Sequence, residues 1–362
     1  MAASRLRSRH VLAPLALVGA CGHAPPAMPA TAPAAAAPAA PTYATHTIAL
    51  PGGTADGVFM DYLLFDPRTR SIWVPAGNTG AVDVIDVATG TLAQITGFAT
   101  QEMERRGRKR VVGPSSATLG ADGVVYVGNR GDFTVCAIDE HALTRGACGT
   151  LDAMPDGIAY VAATREVWVT TPRDRSIRIL DGATLAQKAR LAYDGEPEGF
   201  AVDGLRGRFY TNLEDADLTL AIDLATHATV ATWKPACGED GPHGLRLAEA
   251  DGLLFVACSA RAEVLDVAHD GAVRGTIDTG DGVDDLDYVA ATRRLYVGAA
   301  QAATLTVAAV DATGGLTAIA TVPTADGARN GVADQTGAIY LAHGAGSELI
   351  VVAPKGPAQA AQ

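Results

Sequence analysis

Residues 72–95 read IWVPAGNTGAVDVIDVATGTLAQI, and their pattern decides the fold. An apolar run centred on Trp73 meets a Gly-rich turn, a second run ends at Asp86, and a third follows from Thr91 to Ile95. Short apolar runs separated by tight turns read as antiparallel strands joined by hairpins. The unit recurs. Its aromatic-marked strand returns as Val125-Tyr126-Val127, Val167-Trp168-Val169, Phe209-Tyr210-Thr211, Leu254-Phe255-Val256, Leu295-Tyr296-Val297 and Ile339-Tyr340-Leu341. The marks at 73, 126, 168, 210, 255, 296 and 340 are 41–45 residues apart, save a first interval of 53.

A repeat of about forty residues, each with four short strands, is the signature of a propeller blade. One four-stranded sheet with two apolar faces is unstable alone, whereas blades packed face to face around an axis cover one another. A β-helix has shorter coils and lacks these hairpin turns. The last copy offers only three strands, around Val332 to Asp334, Ile339 to Leu341 and Leu349 to Val352; Thr45 to Leu50 supplies the fourth. The expected fold is therefore all-β: residues 43–356 form a seven-bladed β-propeller of four-stranded antiparallel blades. The N-terminal strand completes the last blade and removes the raw edge between the termini.

The aromatic-Val-x-Asn strand Tyr126-Val127-Gly128-Asn129 and the strand end Val84-Ile85-Asp86 resemble the YVTN family of bacterial propellers, including YncE-like proteins. The resemblance spans roughly residues 43 to 354. Copies such as Trp168-Val169-Thr170-Thr171 are diverged. It implies the fold and leaves the activity open, because propellers host many functions.

The chain begins with an address. Arg5, Arg7 and Arg9 precede an apolar run from Val11 to Ala20, too short to span a bilayer as a helix. Leu17-Val18-Gly19-Ala20-Cys21 resembles a bacterial lipobox, which implies a lipoprotein signal peptide at 1–20 and lipidation of Cys21. Ordinary cleavage near Ala20 is the alternative. Residues 21–42 are Ala/Pro-rich and read as a semi-extended tether, and residues 357–362 as a disordered tail. The expected location is the bacterial cell envelope, periplasm-facing and lipid-anchored. Gly22 after the cysteine favours the outer membrane. A net charge of −12 opposes nucleic-acid binding. Absence of a Cys-x-x-Cys-His motif excludes covalent haem, and no P-loop or dinucleotide fingerprint indicates a nucleotide.

Four further cysteines allow three pairings. Within the repeat, Cys136 and Cys148 fall on the third and fourth strands of blade 2. Cys258 ends the second strand of blade 5, and Cys237 lies in the loop feeding that blade. The expected disulfides are Cys136–Cys148 and Cys237–Cys258, with buried free thiols as the alternative.

Counting back from each aromatic mark gives Asp61, Ser116, Asp156, Glu198, His243, Asp284 and Asn330, each at the start of an innermost strand. Several sit in a Pro-x-Gly context. These positions should converge at one mouth of the central channel. Convergent carboxylates must be protonated, hydrated or balanced by a cation. Asp61, Asp156, Glu198, His243, Asp284 and Asn330 are thus candidate ligands of a divalent cation, calcium first among them. The placement is similar to that in gluconolactonase and senescence-marker-protein lactonases, which implies metal-dependent hydrolysis as an alternative; those enzymes typically have six blades. The plain reading of Pro-x-Gly is a wet structural channel. Rim loops add Asn129, Arg130, Arg173, Asn212 and His343 to Ser116 as candidate ligand-binding residues. An insertion at 101–112, rich in Arg and Lys, accounts for the long first interval; it reads as a solvated basic loop, a flap over the carboxylates, or a dock for an anionic partner. The reading is of a monomeric recognition module whose rim binds a small molecule, glycan or envelope protein, with no catalytic residue assigned.

Overall fold

The computed structural model describes residues 41–105, 107–238 and 241–356, together with Ala13. The signal peptide, Cys21, nearly all of the tether and the tail at 357–362 lie outside the described residues. Among the described residues, thirty strands form seven four-stranded antiparallel sheets and one separate two-stranded hairpin. We number the blades 1–7 at residues 64–95, 114–150, 158–192, 197–233, 242–278, 283–323 and 329–354. Tyr43–Ala49 adds to blade 7 as its outermost strand, in a register running from Tyr43 opposite Pro354 to Ala49 opposite Glu348. The ring is closed as the sequence requires. Among the described residues, no helix is long and apolar enough to cross a membrane.

The core is distributed. Seven buried clusters each join one blade to the next, including the closing junction between blades 7 and 1. The aromatic marks explain this layout. Trp73 packs with blade 2, Tyr126 with blade 3, Trp168 with blade 4, and so on to Tyr340, which packs with blade 1. Each large side chain fills the wedge ahead of it, and Trp73 and Trp168 are wholly buried. The aspartates closing the third strands have a different task. Those at 86, 181 and 223 accept hydrogen bonds from two following backbone amides and a Thr hydroxyl, capping the turn to the outermost strand.

The Pro-x-Gly motif has a packing cause. A Cβ on Gly199 would lie 2.0 Å from the carbonyl oxygen of His243, and one on Gly244 would lie 2.2 Å from Oδ1 of Asp285. Each glycine lets the next blade's inner strand approach closely, so the repeated motif reports blade packing, while the residue before the glycine is free to vary. Both expected disulfides are present, Cys136–Cys148 across directly opposed strand positions and Cys237–Cys258.

Asp83 is a buried charge in this core. It is fully covered, accepts one bond from Gln94 Nε2 at 2.8 Å and has no partner for Oδ2. Burial pushes its carboxyl up to about 6, with the Gln94 bond pulling the other way. A carboxyl raised on folding contributes stability below its unfolded value, and that contribution is lost as pH rises through 6. Asp83→Asn should therefore raise the melting temperature at pH 8 by a few degrees, with little gain at pH 4, in paired thermal melts. An equal shift at both pH values would contradict this cause.

Candidate functional site

The inner strands bring the expected positions to one end of the channel, where they sort into distinct groups. Asp61 immediately precedes the inner strand of blade 1, and Asp156 that of blade 3. Arg130, at the end of the second strand of blade 2, reaches between them. Its Nη2 donates to Asp61 Oδ2 at 2.6 Å and also pairs with Asp156, while Nε donates to the Pro155 carbonyl at 3.3 Å. Asn330 donates to the other Asp61 oxygen at 3.1 Å. Burial raises the Asp61 carboxyl to about 6, against the pull of Arg130 and with a further push from Asp156 and Asp284. Arg130 itself, although buried, is held firmly protonated by the two carboxylates.

Asp61 and Asp156 were expected to face a metal, and a guanidinium from the same ring already occupies the position between them. Arg130 was assigned to ligand binding at the rim; it is 9% exposed and serves the channel's internal charge balance. Spacing located both carboxylates and the arginine but did not say that they would meet.

On the opposite arc the described residues bring together two carboxyl groups and an imidazole. Glu198, on the inner strand of blade 4, lies beside Glu214 from the short 3-10 turn Glu214–Ala216 of the same blade. His243, on the inner strand of blade 5, places Nδ1 3.3 Å from Glu214 Oε1 without the alignment of a hydrogen bond, and Nε2 lies 3.3 Å from Ser259 Oγ. One ligand atom each of Glu198, Glu214 and His243 lies within 4.8 Å of the others. Burial drives the Glu198 carboxyl well above its usual range, assisted by Glu214, Asp156 and Asp284. Burial works to lower the His243 imidazole, yet the Glu214 and Asp284 carboxylates outweigh it and hold the ring above its ordinary value. A cation bound here would therefore compete with protons for both groups. Asp284 is close enough to influence both, and it pairs with Arg329 at 3.3 Å.

Glu214 was absent from the expected ligand set. It lies in the loop after a second strand, so counting along inner strands alone did not reach it. Gly241 fixes it in place: a Cβ there would sit 1.9 Å from the Glu214 carbonyl oxygen. The loop feeding His243 is tied by the Cys237–Cys258 disulfide and by the Cys237 amide donating to Asp217 Oδ1 at 2.9 Å.

Beneath the mouth, Tyr62 from blade 1 and Phe200 from blade 4 meet across the axis, with ring centroids 5.6 Å apart. A second charged layer follows: Arg246 pairs with Asp285 at 3.3 Å and with Asp287 at 3.0 Å. Burial raises Asp285 to about 7 despite Arg246. Strict strand alternation did not predict this layer. Bulges between Pro242 and Leu245 and between Val283 and Leu286 shift the register, bringing consecutive residues Asp284 and Asp285 to the channel region.

The remaining rim expectations are placed as follows. Ser116 and Asn212 are fully buried and Asn129 is 1% exposed, so none is presented on the rim. Asn212 Nδ2 donates to the His243 carbonyl at 2.6 Å, and Asn129 Nδ2 to the Ala99 carbonyl at 3.1 Å; both staple a blade to the incoming loop. His343 pairs with Glu348 at 2.9 Å inside blade 7 and does not join the cluster. Arg173 stands exposed on the turn Pro172–Asp174. The insertion is a β-hairpin, Gln101–Arg105 with Arg108–Val112, and not a loop. A small pocket lies between its root and Asp61 and Arg130.

Solved structures of similar fold have unrelated roles. A chain of a mitotic checkpoint complex is 14% identical, covers 90% of this chain and 97% of its own, and has a TM-score of 0.70. Virginiamycin B lyase from Staphylococcus aureus is 12% identical, with 86% and 99% covered and a TM-score of 0.67. The β-propeller domain of Myceliophteria thermophila Cps50 (Swd1) is 9% identical, with 84% and 98% covered and a TM-score of 0.66. At such identities the likeness establishes the propeller fold alone. No family model and no curated protein matches the sequence.

Proposed function

We propose that this chain is a lipid-anchored recognition module of the bacterial envelope, which holds a divalent cation between Glu198, Glu214 and His243 and presents it at the channel mouth to a ligand. One observation carries the reading: two carboxyl groups and an imidazole converge with a ligand atom of each within 4.8 Å of the others, on the arc away from the arginine that sits between Asp61 and Asp156. His243 Nδ1 is buried 3.3 Å from Glu214 Oε1 without the alignment of a hydrogen bond, so both atoms face the point where an ion would be held. Two carboxylates with one imidazole favour a borderline ion such as Zn²⁺ or Mn²⁺ over calcium, whose shell is all oxygen.

The YVTN-like repeats, the lipobox pattern at Cys21 and two disulfides suit an oxidising envelope compartment. The cation is tested by equilibrium dialysis of the intact chain against Zn²⁺ or Mn²⁺ with elemental analysis. One ion per chain is expected, lost in Glu198→Gln/Glu214→Gln while the melting profile is kept. Full occupancy in the double variant would remove the reading.

A further inference from the structure

A cleft of about 380 Å³ opens between blades 1 and 2, at the end of the blades away from the channel mouth. Blade 1 contributes the turn into Ser71–Ala76 and the turn that follows Ala81–Asp86, and blade 2 the turn after Thr134–Asp139. Its volume falls within the ~300–1,000 Å³ range of small-molecule sites. Val84, Ala93 and Leu143 give it an apolar side. The rest of the lining is hydroxyl, carboxylate and one imidazole, and among the described residues no Lys or Arg lines it.

The hydroxyl protons of this lining are largely spent inside the protein. Trp73 Nε1 donates to Ser71 Oγ at 3.1 Å, the Ser71 and Thr69 hydroxyls lie 2.7 Å apart, and Thr69 Oγ1 donates to Asp66 Oδ2 at 2.8 Å. In that chain Ser71 gives its proton to Thr69, and Thr69 gives its own to Asp66. Thr89 Oγ1 donates to Asp86 Oδ1 at 2.9 Å. A hydroxyl has one proton and two lone pairs, so these three groups have acceptor sites left and no donor.

Asp86 supplies the charge. Its Oδ1 also takes the Ala88 and Thr89 amides at 2.9 and 2.7 Å. The bonds from Thr89 and Ala88 hold its carboxyl below the usual range, and Arg70 adds to them only from beyond ion-pair distance. Among the described residues no donor reaches Oδ2. The matching aspartates of other blades differ: Arg208 pairs with Asp223 Oδ2 in blade 4, and Arg274 donates to Asp266 Oδ2 at 2.8 Å in blade 5. In blade 1 that oxygen is left to the cleft. Glu140, the other lining carboxylate, is nearly buried and already balanced by Arg68, and His141 Nε2 lies 3.5 Å from its Oε1.

We propose that this cleft binds a small aliphatic primary amine, with the ammonium group at Asp86 and the carbon stem against Val84, Ala93 and Leu143. An ammonium carries three donors and no acceptor, which matches a lining rich in unspent lone pairs. Its charge-assisted bond to a free carboxylate oxygen is of the strong kind. An anion would meet two carboxylates. A bare metal ion fits less well, because the described His, Cys, Asp and Glu side chains bring three ligand atoms together only at Glu198, Glu214 and His243. The inference stands apart from the cation reading, since it shares no residue with it and lies at the other end of the blades.

Titration calorimetry of the intact chain with cadaverine, at neutral pH and low ionic strength, provides the test. One diamine per chain is expected, with no binding of pentanediol or glutarate. Asp86→Asn keeps the oxygen that caps the turn and removes the charge, and should weaken cadaverine at least about tenfold. Ala93→Phe, on the exposed face of the outermost strand, should block the cleft with Asp86 intact and the thermal melt unchanged. Asp223→Asn, where Arg208 already takes the matching oxygen, and Glu198→Gln/Glu214→Gln should both keep the affinity. Absence of saturable binding, equal binding of pentanediol, or an equal loss in either control variant overturns the proposal. So does tighter binding of a capped lysine peptide than of cadaverine, which would make the amine a partner's side chain.

Discussion

Arg130→Met is expected to destabilise the fold by about 3–5 kcal/mol, as removal of one partner from a buried ion pair does. The substitution keeps the volume of the side chain and leaves Asp61 and Asp156 facing each other across the mouth with no cation between them. Asp61 is already raised to about 6 while Arg130 holds it down, so losing that pull raises it further. A carboxyl raised on folding stabilises only while it is protonated, below its unfolded value, and that contribution is lost as pH rises through the folded value. The cost should accordingly be larger at pH 8 than at pH 5. Urea unfolding at both pH values measures it, and Asp61→Asn/Asp156→Asn in the Arg130→Met background should recover much of the loss, because coupled residues are not additive. A cost below about 1 kcal/mol, within the range of an exposed pair, would mean that the triad is solvated and structurally idle.

Cation affinity at Glu198, Glu214 and His243 should rise steeply with pH. Metal binding requires deprotonated ligands, and here burial and carboxylate neighbours hold the Glu198 proton while nearby carboxylates hold that of His243. Below both titrations two protons leave per ion, so affinity climbs by up to about a hundredfold per pH unit, flattening once both groups are ionised or neutral as the metal needs. Titration calorimetry in buffers of different ionisation enthalpy counts those protons directly. Glu198→Gln removes one of them and should lower affinity as well as halve the slope. Affinity independent of pH would show that the ion, if bound, sits elsewhere.

How far the sequence reached depended on which interactions are local. The seven aromatic marks fixed blade number and phase, because each blade needs one large side chain to fill the wedge toward its successor, and that need recurs at every copy. Asp86 and its counterparts were legible for the same reason, since a turn cap involves only the following few residues. The disulfides followed from the repeat frame, which put Cys136 and Cys148 on neighbouring strands. Glu214 escaped because it enters from a loop after a second strand. Asp285 escaped because a bulge breaks the two-residue alternation on which strand reading rests.

The sequence by itself determined a closed seven-bladed ring with Asp61, Asp156, Glu198, His243 and Asp284 at one end of its channel, since periodicity carries phase around an axis. Only the tertiary structure decided how their charges are balanced. A guanidinium has a long reach, and whether Arg130 points outward to a ligand or inward between two carboxylates depends on distances between blades that no local pattern encodes. That choice divides the mouth into an arc neutralised by Arg130 and an arc where Glu198, Glu214 and His243 converge.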